Sequence, residues 1–202
     1  MTSNPDGRSQ QQASSGEQLV TSNQQQATSI KHPATSTERI FIGLGSNLGD
    51  RAGWLQKALQ KLIASPAIEL VQVSSIYETD PVGKIDQPMF LNQVVEVRST
   101  LAPEELLDRL LHIEAELGRE RRERWGPRII DLDLLAYGNR QAQTNRLVLP
   151  HAELHRRRFV LAPWAEMAPE FEVAGFKATV NELLQHCDDH GRVQKLKTPI
   201  LH

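Results

Sequence analysis

The chain of 202 residues carries 23 lysines and arginines against 25 aspartates and glutamates, a formal net charge of −2, and 39% of it is apolar. No global field draws such a chain to nucleic acid or to an anionic membrane, so any basic site has to be local. One cysteine, Cys187, excludes an internal disulfide and a cysteine-rich zinc site. No apolar run approaches the ~20 residues that span a bilayer, and no signal-peptide core opens the chain. The expectation is a reduced, cytoplasmic protein.

Residues 1–37 stand apart. Seven glutamines, seven serines and five threonines make up 19 of the 37, too little apolar surface to offset the entropy of ordering, and they read as a disordered tail. Residues 38–202 suffice for one α/β core. Arg39 to Leu44 reads as a buried strand, broken by the turn signal Gly45-Ser46-Asn47-Leu48-Gly49; Gly43-x-Gly45-Ser46-Asn47 matches neither common phosphate-loop fingerprint and reads as a tight strand-to-helix turn. Asp50 can cap a helix whose apolar positions run from Trp54 to Leu62, and Ser65-Pro66 ends it. A second strand is expected over Ile68–Ile76, and a third from Phe90 to Val97 after the loop 80–88. Ser99 or Thr100 precedes a helix with Pro103 in its first turn, and Gly118 stops it. A basic loop leads to a fourth strand, Ile129 to Tyr137. The order β-α-β-β-α-β predicts an α+β, ferredoxin-like antiparallel sheet with two helices on one face. Additional helices are expected at 158–168 and 179–187.

Chemistry concentrates on the fourth strand. In Ile129-Ile-Asp131-Leu-Asp133-Leu-Leu135, side chains two apart share a face, so Asp131 and Asp133 lie together while Ile130, Leu132 and Leu134 pack inward. Neighbouring carboxylates repel unless a cation lies between them or one takes a proton. Oxygen ligands of this kind favour Mg²⁺ and leave most of its shell to water and phosphate. Two solvated acids on a half-exposed strand are the plain alternative. Arg119, Arg121, Arg122, Arg124 and Arg128 stand just before them, interrupted by Trp125-Gly126-Pro127. Arginines beside a diacidic metal site suit polyphosphate transfer, in which guanidinium forks hold the oxygens that the metal does not. After Pro150-His151, a helix start could bring His151 and Arg157 to a phosphate. Cys187 reads as a packing residue.

With these motifs in place, the chain resembles the 6-hydroxymethyl-7,8-dihydropterin pyrophosphokinase family of folate biosynthesis, from about Ile40 to Glu170. The resemblance rests on Gly45-Ser-Asn-Leu-Gly-Asp50, Ser74-Ser-x-Tyr77, Gln87-Pro88 with Phe90-Leu-Asn92, and Leu101-Ala-Pro-Glu-Glu-Leu106. Leu149-Pro-His151 adds to it, and Arg124-Trp-Gly-Pro-Arg128 followed by Asp131-Leu-Asp133 is its most specific part. It implies transfer of pyrophosphate from ATP to the pterin hydroxymethyl group, leaving AMP. Asp131 and Asp133 would bind two Mg²⁺ ions, and with Arg119 and Arg128 they would be catalytic. Glu114, Arg119, Arg121, Trp125, Arg128, Arg146, His151 and Arg157 would bind ATP. Thr79, Val82, Phe90, Asn92, Trp125 and Phe159 would bind the pterin, with the two phenylalanines stacking on its faces.

The chain departs from the family pattern at Phe90, where a tyrosine is familiar, and at Asp80, in place of a proline in the pterin loop. Ala152 and Val148 also differ, and the basic loop is one residue shorter than in the longest form; affinities are what these changes touch. The implied partners are small molecules, with no nucleic acid and no membrane, and the protein is expected to be a monofunctional monomer. An RRM-like module shares the element order but expects paired aromatics and a basic surface. A catalytically inactive relative acting as a scaffold is the other alternative.

Overall fold

The computed structural model describes residues 38–83, 86–119 and 126–197. The polar stretch 1–37 lies outside the described residues, as do Arg121, Arg122, Arg124 and Trp125 of the basic segment. The apolar strand β1 (Ile40–Ser46) sits inside a sheet, antiparallel to β4 (Phe90–Ser99) on one side and β5 (Asp131–Tyr137) on the other. It runs on through Gly43 and Gly45, which are strand residues, so the expected turn over Gly45–Gly49 is confined to its end, at Gly49, where φ is +62°. Asp50 then caps α1 (Arg51–Ile63) by accepting the Gly53 N–H at 3.0 Å.

The expected second strand is broken into β2 (Ile68–Val73) and β3 (Tyr77–Thr79). At the break Ser74 donates its N–H to the Val94 carbonyl, and its hydroxyl accepts the Val94 N–H, so a side chain stands in for one rung of the ladder. α2 (Pro103–Glu116) starts at Ala102, whose own N–H is taken by Glu105 Oε2 at 2.8 Å. Proline at the first helical position loses no hydrogen bond. Gly118, at φ +85°, ends α2 by letting its N–H and that of Arg119 reach back to Ala115 and Glu114. β5 begins at Asp131, two residues later than expected.

Beyond β5 the chain forms β6 (Ala142–Gln143), β7 (Val148–Leu149), a 3-10 turn over Leu154–Arg156 and α3 (Arg158–Met167). It finishes with β8 (Glu172–Val173), β9 (Ala178–Thr179), α4 (Val180–Gln185) and β10 (Val193–Lys195). The main sheet is antiparallel in every pairing, with order β10-β3-β4-β1-β5 and β2 also paired to β4. The edge strand β10 has no counterpart in the sequence-based reading.

Both faces of the sheet bear a core. Leu55 and Leu62 of α1 and Leu106, Leu110 and Ile113 of α2 pack on Ile42, Leu44, Leu132 and Leu134. On the opposite face Val160, Leu161 and Trp164 of α3 pack on Phe41, Val94, Leu135 and Ala136, joined by Cys187. The later helices thus cover a face that the element order alone leaves open. A bulge between β1 and β5 serves both cores. Ile42 faces Leu134 and Phe41 faces Ala136, so Leu135 is an extra residue. It shifts the alternation, and Tyr137 returns to the face of α2, where its hydroxyl donates to the Leu101 carbonyl at 2.7 Å. No helix among the described residues is long and apolar enough to cross a membrane.

Phe41 is fully buried, with ring centroids 4.8 Å from Trp164 and 4.7 Å from Phe171. Phe41→Ala is expected to cost about 3–5 kcal/mol of unfolding free energy in a urea titration with an unchanged slope; a loss below about 1 kcal/mol would contradict this packing.

Candidate active site

Register puts the polar residues of four strands in rows across one face of the sheet. Asp131 of β5, Gly45 of β1, Asn92 of β4 and Tyr77 of β3 are successive Cα partners, and Asp133, Gly43 and Val94 form the next row. Since directly paired residues share a face, the two acids lie on one side of β1, and Asn92, Phe90 and Thr79 on the other. The bare backbone of β1 separates them. A side chain at Gly45 would put its Cβ 2.9 Å from Asn92 Oδ1, and one at Gly43 would meet Leu135 at 3.4 Å. These glycines therefore form the floor of a cavity of about 220 Å³. Nothing in their spacing marked them as site residues; two glycines two apart inside an otherwise buried strand were the available signal.

Basic groups crowd the acidic wall. Arg119 Nη1 lies 2.7 Å from Asp131 Oδ1, and Arg128 Nη1 lies 2.6 Å from Asp131 Oδ2. Arg157 Nη1 is 3.4 Å from Asp133 Oδ2 and 3.5 Å from His151 Nε2. Enclosure, together with the Asp131 carboxylate, pushes Asp133 up to about 6. His151 moves the other way, down to about 4, because burial and the Arg157 guanidinium disfavour its charged form.

Glu114, 2% exposed, stands behind this wall and does not line the cavity. Its Oε1 accepts the Leu132 N–H at 2.7 Å and a hydrogen bond from Arg119, so it aims that arginine at the acids. Burial nevertheless pushes Glu114 up to about 7, against the pull of the Leu132 N–H and Arg119. Asn47, 1% exposed, joins the two walls: it accepts the Arg128 N–H at 2.8 Å and donates to Gln87 Oε1 and the Pro88 carbonyl, both at 3.1 Å.

The opposite wall carries Phe90, and Asn92 beside it donates to Thr79 Oγ1 at 2.7 Å, which orients its amide. Val82 lines the cavity near Thr79, and Phe159 lines it from the start of α3, its ring centroid 5.8 Å from the Arg157 guanidinium. The cavity thus gathers Arg119, Arg128, Asp131, Asp133, His151 and Arg157 with Thr79, Val82, Phe90, Asn92 and Phe159. Arg146 is not among its lining residues: its side chain is 62% exposed and ion-paired to Asp108 of α2. Arg121 and Trp125 lie outside the described residues.

Among the described residues, no three histidine, cysteine or acidic side chains gather as a metal cluster. Two carboxylates on one strand face are a donor set for a hard cation that takes its remaining ligands from water and from another molecule's oxygens. Three arginines beside them would neutralise phosphates on that molecule. The fit is to a metal-bound polyphosphate, not to a metal enclosed by protein.

An antiparallel sheet that brings a diacidic, arginine-ringed wall and two aromatic rings to one cavity has the features that phosphoryl transfer to a flat-ringed acceptor requires. A family model described as 7,8-dihydro-6-hydroxymethylpterin-pyrophosphokinase matches residues 41–169. The chain is 48% identical over 153 residues to the 2-amino-4-hydroxy-6-hydroxymethyldihydropteridine pyrophosphokinase of Methylorubrum extorquens, covering 76% of this chain and 96% of that one. It is 46% identical over 142 residues to the protein of that name from Bacillus subtilis, covering 70% and 85%. Among solved structures, Plasmodium falciparum HPPK-DHPS with pterin and p-hydrobenzoate superposes with a TM-score of 0.58 at 16% identity, over 75% of this chain. The chain spans 44% of the length of that larger protein, and the likeness is one of fold. The chain belongs to the 7,8-dihydro-6-hydroxymethylpterin pyrophosphokinase family.

A glutamate whose folded pKa lies above its unfolded value lends stability at low pH and loses it as pH rises through the folded value. Glu114→Gln keeps an acceptor for the Leu132 N–H and removes the titration. Its stability relative to the wild type should therefore rise as pH goes from 4.5 to about 7. Urea titrations at the two ends measure this, and a difference independent of pH would show that Glu114 is not held above its ordinary range.

Proposed function

We infer that the chain transfers the terminal diphosphate of ATP to the hydroxymethyl group of 6-hydroxymethyl-7,8-dihydropterin, a step of folate biosynthesis. The observation that carries the site assignment is a cavity in which Asp131, Asp133 and their arginines face Phe90 and Asn92 across the glycine floor, with Phe159 at its edge beside Arg157. In the reaction the pterin hydroxyl oxygen bonds to the β-phosphorus, and the bond from that phosphorus to the oxygen bridging to the α-phosphorus breaks. AMP leaves with that oxygen, and the hydroxyl proton passes to water.

Asp131 and Asp133 would hold two Mg²⁺ ions, which when bound neutralise phosphate charge and ease ionisation of the hydroxyl. Arg119 and Arg128 then turn from Asp131 towards phosphate oxygens and the charge that develops on transfer. Glu114 positions Arg119 from behind. Arg157 and a neutral His151 bind the nucleotide beside them. Phe90 and Phe159 take the two faces of the pterin, Asn92 reads its polar edge, and Thr79 and Val82 border the ring. Holding both substrates in one cavity turns a bimolecular encounter into an oriented displacement. Arg121, Arg146 and Trp125 are assigned to nucleotide binding by resemblance alone, with Trp125 also over the pterin. We read the sheet as ferredoxin-like, with β2 and β3 together as its second strand, and the protein as a cytoplasmic monomer.

Incubation of the full chain with ATP, Mg²⁺ and 6-hydroxymethyl-7,8-dihydropterin should yield AMP in step with a diphosphorylated pterin. Asp131→Ala and Asp133→Ala should each lower kcat about a thousandfold or more; ADP as the nucleotide product would refute the reaction. Because Asp133 is raised to about 6, falling pH protonates it where it must hold a cation, so the acid limb of kcat/KM lies at or below about 6. His151 is already neutral above about 4. His151→Gln should weaken ATP binding and leave that limb in place; a limb that shifts with this substitution would assign it to the histidine instead.

A further inference from the structure

The last described stretch of chain, beyond the 41–169 matched by the family model, crosses between two sides of the cavity: the start of α3, which carries Arg157 and Phe159, and the end of β3, which carries Thr79 and leads to Val82. One end of it meets α3. Arg157, the residue before its first turn, makes no side-chain capping hydrogen bond. The first helical N–H, that of Arg158, instead donates to Asp189 Oδ2 at 3.1 Å. A carboxylate there satisfies a donor that the helix cannot and complements the positive end of its dipole. The residues flanking Arg158 are Arg157 and Phe159, both in the cavity lining.

The other oxygen of Asp189 accepts the Gly191 N–H at 2.9 Å, which folds the chain into a turn directed at the end of β3. There the Asp80 N–H donates to the Arg192 carbonyl at 3.1 Å, and the Arg192 N–H donates to Asp80 Oδ2 at 2.9 Å. β10 then pairs with β3, with Val193 opposite Thr79. Asp80, the residue that departs from the family's proline, thus supplies both halves of an exchange that proline, without an N–H or a carboxylate, could not make.

We propose that residues 189–192 act as a strap that fixes the spacing between the start of α3 and the loop after β3, with Asp189 and Asp80 as positioning residues for substrate binding. Asp189 acts through Arg157 and Phe159, and so on both substrates. Asp80 acts through the loop bearing Thr79 and Val82, and so on the pterin alone. The proposal rests on the assignment of Phe159 to the pterin subsite.

The test is steady-state kinetics of the full chain carrying Asp189→Ala, Asp189→Asn, Asp80→Ala or Phe159→Ala, each checked for folding by circular dichroism. Asp189→Ala should raise the KM of both pterin and ATP about tenfold while kcat at saturation stays within about threefold, as expected for a lost helix cap that costs binding and not chemistry. Asp189→Asn, with one acceptor and no charge, should fall between it and the wild type. Asp80→Ala should raise the pterin KM and leave that of ATP unchanged. Wild-type KM values in Asp189→Ala, or a fall in kcat alone, overturn the proposal. If that variant does not fold, wild-type KM values in Asp189→Asn overturn it and an intermediate rise supports it. An unchanged pterin KM in Phe159→Ala would sink the subsite assignment itself; a rise there with none in Asp189→Ala sinks only the strap.

Discussion

Two carboxylates projecting from alternate positions of one strand repel each other, and the arrangement around them answers that repulsion. Asp131 is gripped by Arg119 and Arg128, and Asp133 faces Arg157. Each arginine comes from a different place: just past the glycine stop of α2, the approach to β5, and the start of α3. The helix stop, the approach to the strand and the helix over the acids' own face are therefore all constrained by one patch of negative charge. Without substrate the guanidinium groups neutralise the acids. With a cation and polyphosphate in place, the same groups can change partners at little cost, because every charge retains an opposite charge.

The division of the cavity follows from the register of three strands. β1 carries glycine where its neighbours carry Asp131 and Asn92, so the central strand contributes space in place of a side chain. An acidic, arginine-lined wall and one bearing Phe90 and Asn92 can then share one chamber without a group between them. The second core, built by Trp164 and its neighbours against Phe41, holds α3 over this face and so brings Phe159 and Arg157 to the chamber's edge.

Much of this was legible before any coordinates. Alternation placed Asp131 and Asp133 on one face, and the apolar positions at helical spacing gave α1 and α2. Asp50, Pro103 and Gly118 each stand where the chemistry of helix ends requires. Phe90, Asn92, Phe159, Arg157 and His151 were assigned by resemblance and do meet in one cavity. What was not legible depends on contacts between residues far apart in sequence. Gly43 and Gly45 looked like a turn because glycine permits one, whereas strand pairing on both sides decided otherwise. Glu114 was expected near the nucleotide, but its burial behind Arg119 depends on where α2 packs. Arg146 pairs with Asp108 on the surface, an outcome that spacing cannot reveal. β10 is too short and polar to carry a periodic signal, and it exists because β3 offers it an edge.

The extra residue at Leu135 carries an implication of a different kind. From Asp131 to Asp133 the strand must present acids to the chamber, and at Tyr137 it must present a ring to the opposite core; an uninterrupted alternation would send both to the same side. The count of residues between them is therefore as much a part of the site as their identities. Conservative replacements along β5 leave this phase intact, whereas loss or gain of a single residue there would exchange inside for outside along one half of the strand.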